Sequence, residues 1–97
     1  MNDSLIYEGE YINGIRNGKG KEYSNDKLLF EGEFLDGNII NEKEYDILGN
    51  LIFEGKFENK IRWDGKIKEY NYEGNLIFEG EIKEGEKYGK NMMMKKI

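Results

Sequence analysis

The side chains that could do chemistry in this chain are carboxylates and amines, with no better catalyst beside them. The sequence holds no histidine and no cysteine in 97 residues. That removes the commonest acid–base group near neutral pH and the commonest metal ligand. It also removes any thiolate nucleophile, thiolate metal site or disulfide framework. Ser–His–Asp and Cys–His arrangements therefore cannot be assembled. What remains is a glutamate series, Glu8, Glu31, Glu54 and Glu79, that recurs at one place in a repeated phrase. Paired carboxylates can do general acid–base work when the site shields one of them. Glutamates on open strands stay solvated instead, and Lys19, Lys21, Lys43, Lys66 and Lys68 on returning strands supply cross-strand partners. No aspartate-rich loop has EF-hand spacing. Gly18-Lys19-Gly20-Lys21 lacks the longer spacing and following helix of a phosphate-binding loop. The expectation is a chain with no catalytic residue, no metal and no cofactor, and so not an enzyme.

Charge narrows the partners. The net charge is −5, with 36% charged residues. Phosphate backbones and anionic lipid surfaces repel such a chain on average, so nucleic acid is not expected and membrane association is disfavoured. No run approaches the roughly 20 apolar residues of a membrane helix. Met1-Asn2-Asp3-Ser4 shows neither a basic nor an apolar leader segment, which points to a cytoplasmic location. Aromatics make up 13% of the chain and supply much of its apolar area, enough to argue against disorder.

The elements that must position these groups are written as repeats. Tyr7-Glu8-Gly9, Phe30-Glu31-Gly32, Phe53-Glu54-Gly55 and Phe78-Glu79-Gly80 follow one another at intervals of 23, 23 and 25 residues. A fixed period in this range marks a repeat architecture. The chain divides into units 5–27, 28–50, 51–75 and 76–97 of one domain, 1–97. Each opens with two aliphatic residues and continues aromatic-Glu-Gly-charged. In Leu5–Tyr11, alternation puts Leu5, Tyr7, Gly9 and Tyr11 on one face and Ile6, Glu8 and Glu10 on the other, the pattern of a half-wet strand. Asn13-Gly14, Asp36-Gly37 and Glu84-Gly85 are turn signals at matching places, and Asn59-Lys60 is the third unit's counterpart without glycine. A second strand then returns in each unit, ending Lys-Glu-Tyr at Tyr23, Tyr45 and Tyr70 in the first three. Each unit thus predicts one β-hairpin, and successive hairpins pair edge to edge because a lone hairpin is marginal in water. The glycine between two aromatics is expected to make room for a ring lying over the backbone.

The first unit, Tyr7-Glu8-Gly9-Glu10-Tyr11-Ile12-Asn13-Gly14-Ile15-Arg16-Asn17-Gly18-Lys19-Gly20, resembles the MORN repeat: aromatic-x-Gly-x-aromatic-x-x-Gly, then Gly-x-Gly four residues later. The resemblance covers roughly residues 5–90. Its structural glycines fall at Gly9, Gly14, Gly18, Gly20, Gly32, Gly37, Gly55, Gly80 and Gly85. Later units depart from the pattern. Ile40-Asn41-Glu42 replaces Gly-x-Gly in the second, Gly65 is displaced by one residue in the third, and the fourth keeps Gly89. Segments such as Gly49–Gly55 also resemble the Gly-x-Leu variant of bacterial MORN-like antitoxin components. The resemblance implies an all-β fold, an elongated twisted antiparallel sheet of tandem hairpins. It implies a scaffold or protein-interaction role. Alternatives are a module that associates with membrane or phospholipid headgroups, or a small antitoxin-like protein that binds a partner.

Within that frame the rings Tyr7, Tyr11, Tyr23, Phe30, Phe34, Tyr45, Phe53, Phe57, Tyr70 and Phe78 read as one ladder. They pack as a core whose accessible side could dock a partner. Tyr7, Tyr11, Phe30, Phe34, Phe53, Phe57, Trp63 and Phe78 are the candidate contact residues. Trp63, in the irregular Arg62-Trp63-Asp64 stretch near the third tip, reads either as an exposed anchor beside Arg62 or as a plug over missing glycines. The Met92-Met93-Met94 tail reads as a frayed or capping end, with an adaptable docking segment as the alternative. Exposed end strands favour self-association, so a homodimer is expected alongside a protein partner.

Overall fold

The computed structural model describes residues 5–91, so the methionine tail lies outside the described residues. Eight strands follow one another: β1 (Leu5–Ile12), β2 (Ile15–Ser24), β3 (Lys27–Leu35), β4 (Asn38–Tyr45), β5 (Leu51–Glu58), β6 (Ile61–Tyr70), β7 (Leu76–Lys83) and β8 (Glu86–Asn91). They form one antiparallel sheet in sequence order. The sheet does not close, and no helix occurs among the described residues. The molecule measures 57 × 33 × 18 Å with a radius of gyration of 15.0 Å. A compact chain of this length would have about 12.5 Å, so the array is elongated.

All four hairpin tips take the same backbone form, with both tip residues at positive φ. Asn13 and Gly14 stand at 53° and 78°, and Asp36 and Gly37 at 51° and 91°. Asn59 and Lys60 keep that form at 53° and 68° although no glycine is present. Strand twist demands this turn, and the tertiary pairing holds Lys60 in it against its own preference.

Extra residues between tip and glycine are absorbed as bulges, which keeps the glycines aligned. In β5/β6 the register runs Phe57↔Arg62 and then Lys56↔Asp64, leaving Trp63 as the added residue. Ile40 holds the same place in β4. Gly65, displaced in sequence, thereby still faces Gly55. A second set of bulges falls between hairpins, where Leu29, Ile52 and Ile77 are the unopposed residues. Bulges of this kind bend a sheet and sharpen its twist.

The glycines have a different job from the one expected of Gly32. They let two backbones approach across a ladder. Gly9 faces Gly20, Gly55 faces Gly65 and Gly80 faces Gly89. A Cβ at Gly32 would fall on the carbonyl oxygen of Asn41 in the neighbouring strand, not on a ring. Ring contact does occur at Gly20, where a Cβ would meet the Tyr7 ring. In β4 the paired glycine is replaced by Glu42, which is forced to a φ of 109°.

The core lies on one face of this single sheet: Phe34, Ile39, Phe53, Phe57, Ile67, Phe78 and Ile82, with Tyr7 and Phe30 packed against it. Rings meet edge to face, Tyr7–Phe34 at 4.9 Å and Phe53–Phe57 at 5.1 Å between centroids, the arrangement favoured by ring quadrupoles. Phe53 and Ile67 are each 1% exposed. One layer of backbone cannot bury a ring that completely, so something covers the other side.

Candidate functional site

The cover is a row of ion pairs. On the ring face, Glu22 stands opposite Tyr7 and Phe30, Glu44 opposite Phe30 and Phe53, and Glu69 opposite Phe78. Each takes a cation from elsewhere in the array. Arg16 Nη1 donates to Glu22 Oε1 at 3.1 Å, Arg62 Nε to Glu44 Oε1 at 2.7 Å, and Lys87 Nζ to Glu69 Oε2 at 2.9 Å. The same cations lie over rings: Arg16 is 4.8 Å from the Tyr7 centroid, Arg62 5.8 Å from Phe53 and Lys87 4.6 Å from Phe78. Each carboxylate therefore tethers a cation across an aromatic face, and the aliphatic stems complete the burial. The hydrogen bond to Glu44 pushes the Arg62 guanidinium further toward its protonated form, against the opposing effect of its burial.

This places the predicted contact residues in three groups. Phe34, Phe53, Phe57 and Phe78 are buried, so the accessible ring surface excludes them. Tyr7 and Phe30 are half-buried, and Tyr11 is exposed. Trp63 sits in β6 and not at the tip. It is half-buried against the next hairpin, where Gly85 N donates to the Trp63 carbonyl at 3.0 Å and the indole lies beside Gly85. It staples neighbouring tips, as Arg16 does when its carbonyl accepts from Gly37 N at 3.0 Å.

The single ring ladder divides in two. Tyr23 and Tyr45 lie on the opposite face, where their hydroxyls donate to Glu8 at 3.5 Å and Glu31 at 3.3 Å. Tyr70, next to Glu69 in alternation, joins them. Burial pushes the Tyr45 phenol above its ordinary pKa, and the Glu31 charge adds to this. Tyr7 is raised for the same first reason, helped by Tyr11 and opposed by Arg16. The glutamate series does meet lysines on this outer face. The register reads Glu8↔Lys21, Lys21↔Glu31, Glu31↔Lys43, Lys43↔Glu54 and Glu54↔Lys66. Among the described residues, no group of three or more acids converges to hold a metal ion.

Two of the open surfaces among the described residues combine apolar area with a fixed frame. On the ring face, a cleft of about 370 Å³ runs between the first two ion pairs, floored by Phe30 and Phe57. Its guanidiniums already have partners, so it offers ring area framed by two ion pairs, with Lys60 at its side. The second surface is a groove of about 610 Å³ beside the connections β4–β5 and β6–β7. These connections have the same build. Asp46 Oδ1 accepts from Leu48 N and Asn50 N at 3.0 and 2.9 Å, and Asn71 Oδ1 from Glu73 N and Asn75 N at 3.0 Å each. Gly49 and Gly74 complete them at φ 91° and 86°. The loops so held present Ile47, Leu48 and Tyr72 to solvent, Tyr72 with 88% of its surface exposed.

Sequence reasoning missed both devices. The ion pairs had a signal: in Lys-Glu-Tyr, lysine and tyrosine share the outer face, so the glutamate between them must face the rings. The groove had a weaker one, large apolar residues inside turn-rich segments. No family model, curated protein or solved structure matches the chain.

Proposed function

We propose that the chain is a non-catalytic protein–protein interaction module, an array of MORN-like hairpins that displays a docking surface for a protein partner. The observation that carries this reading is the connection groove. Side-chain caps hold the backbone of two successive loops in one conformation, and the loops project apolar side chains that the sheet does not use for packing. Exposed apolar groups on a preformed frame are the usual mark of an interaction site, and prior ordering lowers the entropy lost on docking. The acidic net charge supports a protein over nucleic acid or anionic lipid.

Crosslinking of the native protein followed by isolation and identification tests this. The supporting result is a stoichiometric protein partner that is lost in a Leu48→Glu/Tyr72→Glu variant and kept in a Glu79→Lys variant, whose site lies outside the groove lining. A partner retained by the groove variant removes the groove from the reading. Salt-sensitive pelleting with anionic vesicles, in place of a protein partner, overturns the class.

A further inference from the structure

The two ends of the sheet are complementary to each other. Tyr11 occupies the repeat position held by Phe34, Phe57 and Ile82 in the later units. Those three are 2%, 5% and 5% exposed, whereas Tyr11 is 53% exposed. The difference is positional. β3, β5 and β7 each have the preceding hairpin's second strand beside them, while β1 pairs only with β2 among the described residues. Leu5, Ile6 and Ile12 are exposed along the same strand. At the other end, β8 pairs only with β7 among the described residues, and all six of its residues are exposed.

We propose that β8 of one copy pairs with β1 of the next, head to tail, in the register that β2/β3 and β4/β5 use between hairpins; β6/β7 is stepped by two residues, with Gly65 facing Ile82. The β2/β3 ladder gives that register: Gly18↔Phe34, Lys19↔Glu33, Gly20↔Gly32, Lys21↔Glu31 and Glu22↔Phe30. Within their own hairpins Gly89 faces Gly80 as Gly20 faces Gly9, and Lys90 faces Glu79 as Lys21 faces Glu8. Carrying the register across the junction sets Lys90 against Glu8, Gly89 against Gly9, Asn91 against Tyr7 and Lys87 against Tyr11. The first two of these matches repeat pairs found inside the sheet. Lys90 on Glu8 repeats the lysine–glutamate matches of the outer face, where one row runs from Glu8 to Lys66 and the next ends Lys68↔Glu79↔Lys90. Gly89 on Gly9 repeats the close backbone approach of Gly20 on Gly32. Lys87 would stand opposite a ring, as it stands over Phe78 now.

The alternative symmetric pairing of β1 with β1 is disfavoured by charge. With Gly9 facing Gly9, Glu8 of each copy meets Glu10 of the other, and a two-residue slip sets Glu8 on Glu8 or Glu10 on Glu10. A head-to-tail contact between unlike surfaces does not close on itself at two copies and generates an open series. The occupant of the β1 edge is thus a second copy of this chain. This inference rests on the repeat register alone, so its failure leaves the groove reading untouched.

Sedimentation velocity of the 97-residue protein over increasing concentration tests it. The expected result is a weight-average coefficient that keeps rising past the dimer. Glu8→Lys and Lys90→Glu each place like charges at the junction, and each weakens association by roughly three- to tenfold. Mixing the two variants restores it, because every junction between unlike variants then sets a lysine against a glutamate, in native or in exchanged order. The β-sheet circular dichroism of both variants serves as the folding control, and the Glu8→Lys/Lys90→Glu double variant, which assembles on its own, replaces a variant that fails it. A monomer throughout, a series that stops at the dimer, or single variants that associate like the parent overturns the proposal. So does a mixture that stays as weak as its components.

Discussion

Glu42 should be the most improvable residue in the sheet, and replacing it with glycine should stabilise the protein. It occupies the row position that Gly20, Gly65 and Gly89 hold in the other hairpins, and it faces Gly32 and Gly55. Its φ of 109° is a backbone form that side-chain-bearing residues rarely adopt. Holding such a residue there costs about 1–3 kcal/mol. Glycine removes that cost but gives the unfolded chain extra freedom worth about 0.5–1 kcal/mol. The exposed carboxylate makes no hydrogen bond or ion pair among the described residues, so little else is lost. The difference is a gain of about 1 kcal/mol, or roughly 4–8 °C in Tm for a domain of this size. Urea unfolding should show a higher midpoint at unchanged slope. Glu42→Ala separates the causes: it deletes the charge but keeps the Cβ, so it should gain nothing. A Glu42→Gly midpoint at or below the parent's, or a Glu42→Ala variant that matches it, refutes the account of a strained backbone.

Lys60→Gly should also stabilise, by about 0.5–1 kcal/mol, because Lys60 holds a left-handed conformation at a tip where the other hairpins carry glycine; thermal melting checks this, and a lower Tm would count against it. Gly32→Val should destabilise by more than about 2 kcal/mol, since its side chain meets the Asn41 carbonyl and Glu42 Cβ; an unchanged melt removes the close-approach role. The phenols of Tyr7 and Tyr45 are raised above their ordinary pKa. Folding therefore favours their protonated forms, and that stability is complete below about pH 10 and lost as pH rises through the folded values. The denaturation midpoint should fall across that window, less steeply in Tyr7→Phe/Tyr45→Phe, with phenolate absorbance following the titration; equal slopes in parent and double variant would show that these two phenols contribute nothing.

The architecture was legible because alternation and turn chemistry are local. Tyr7-x-Gly9-x-Tyr11 and its copies state a period of two, and Asn13-Gly14 and Asp36-Gly37 state where the chain reverses. Those signals are enough to order eight strands by sequence. The glutamate–lysine ladder was legible for the same reason, since it follows from alternation plus hairpin register.

Only the folded sheet decided where the added residues go and what covers the rings. Whether Trp63 lies at a tip or in a strand depends on where the ladder places its bulge. That choice is set by Gly55 and Gly65 needing to face each other across two strands. The pairing of Arg62 with Glu44 joins residues of different hairpins at 2.7 Å, a distance no periodicity encodes. Side-chain alternation is a property of one strand, so the chain alone determined which residues of a strand share a face between bulges, while the side taken by Tyr23, Tyr45 and Tyr70 relative to the rings followed from the pairing of strands. The partner across that face depends on register summed over every turn and bulge between them, and that sum exists only in the assembled sheet.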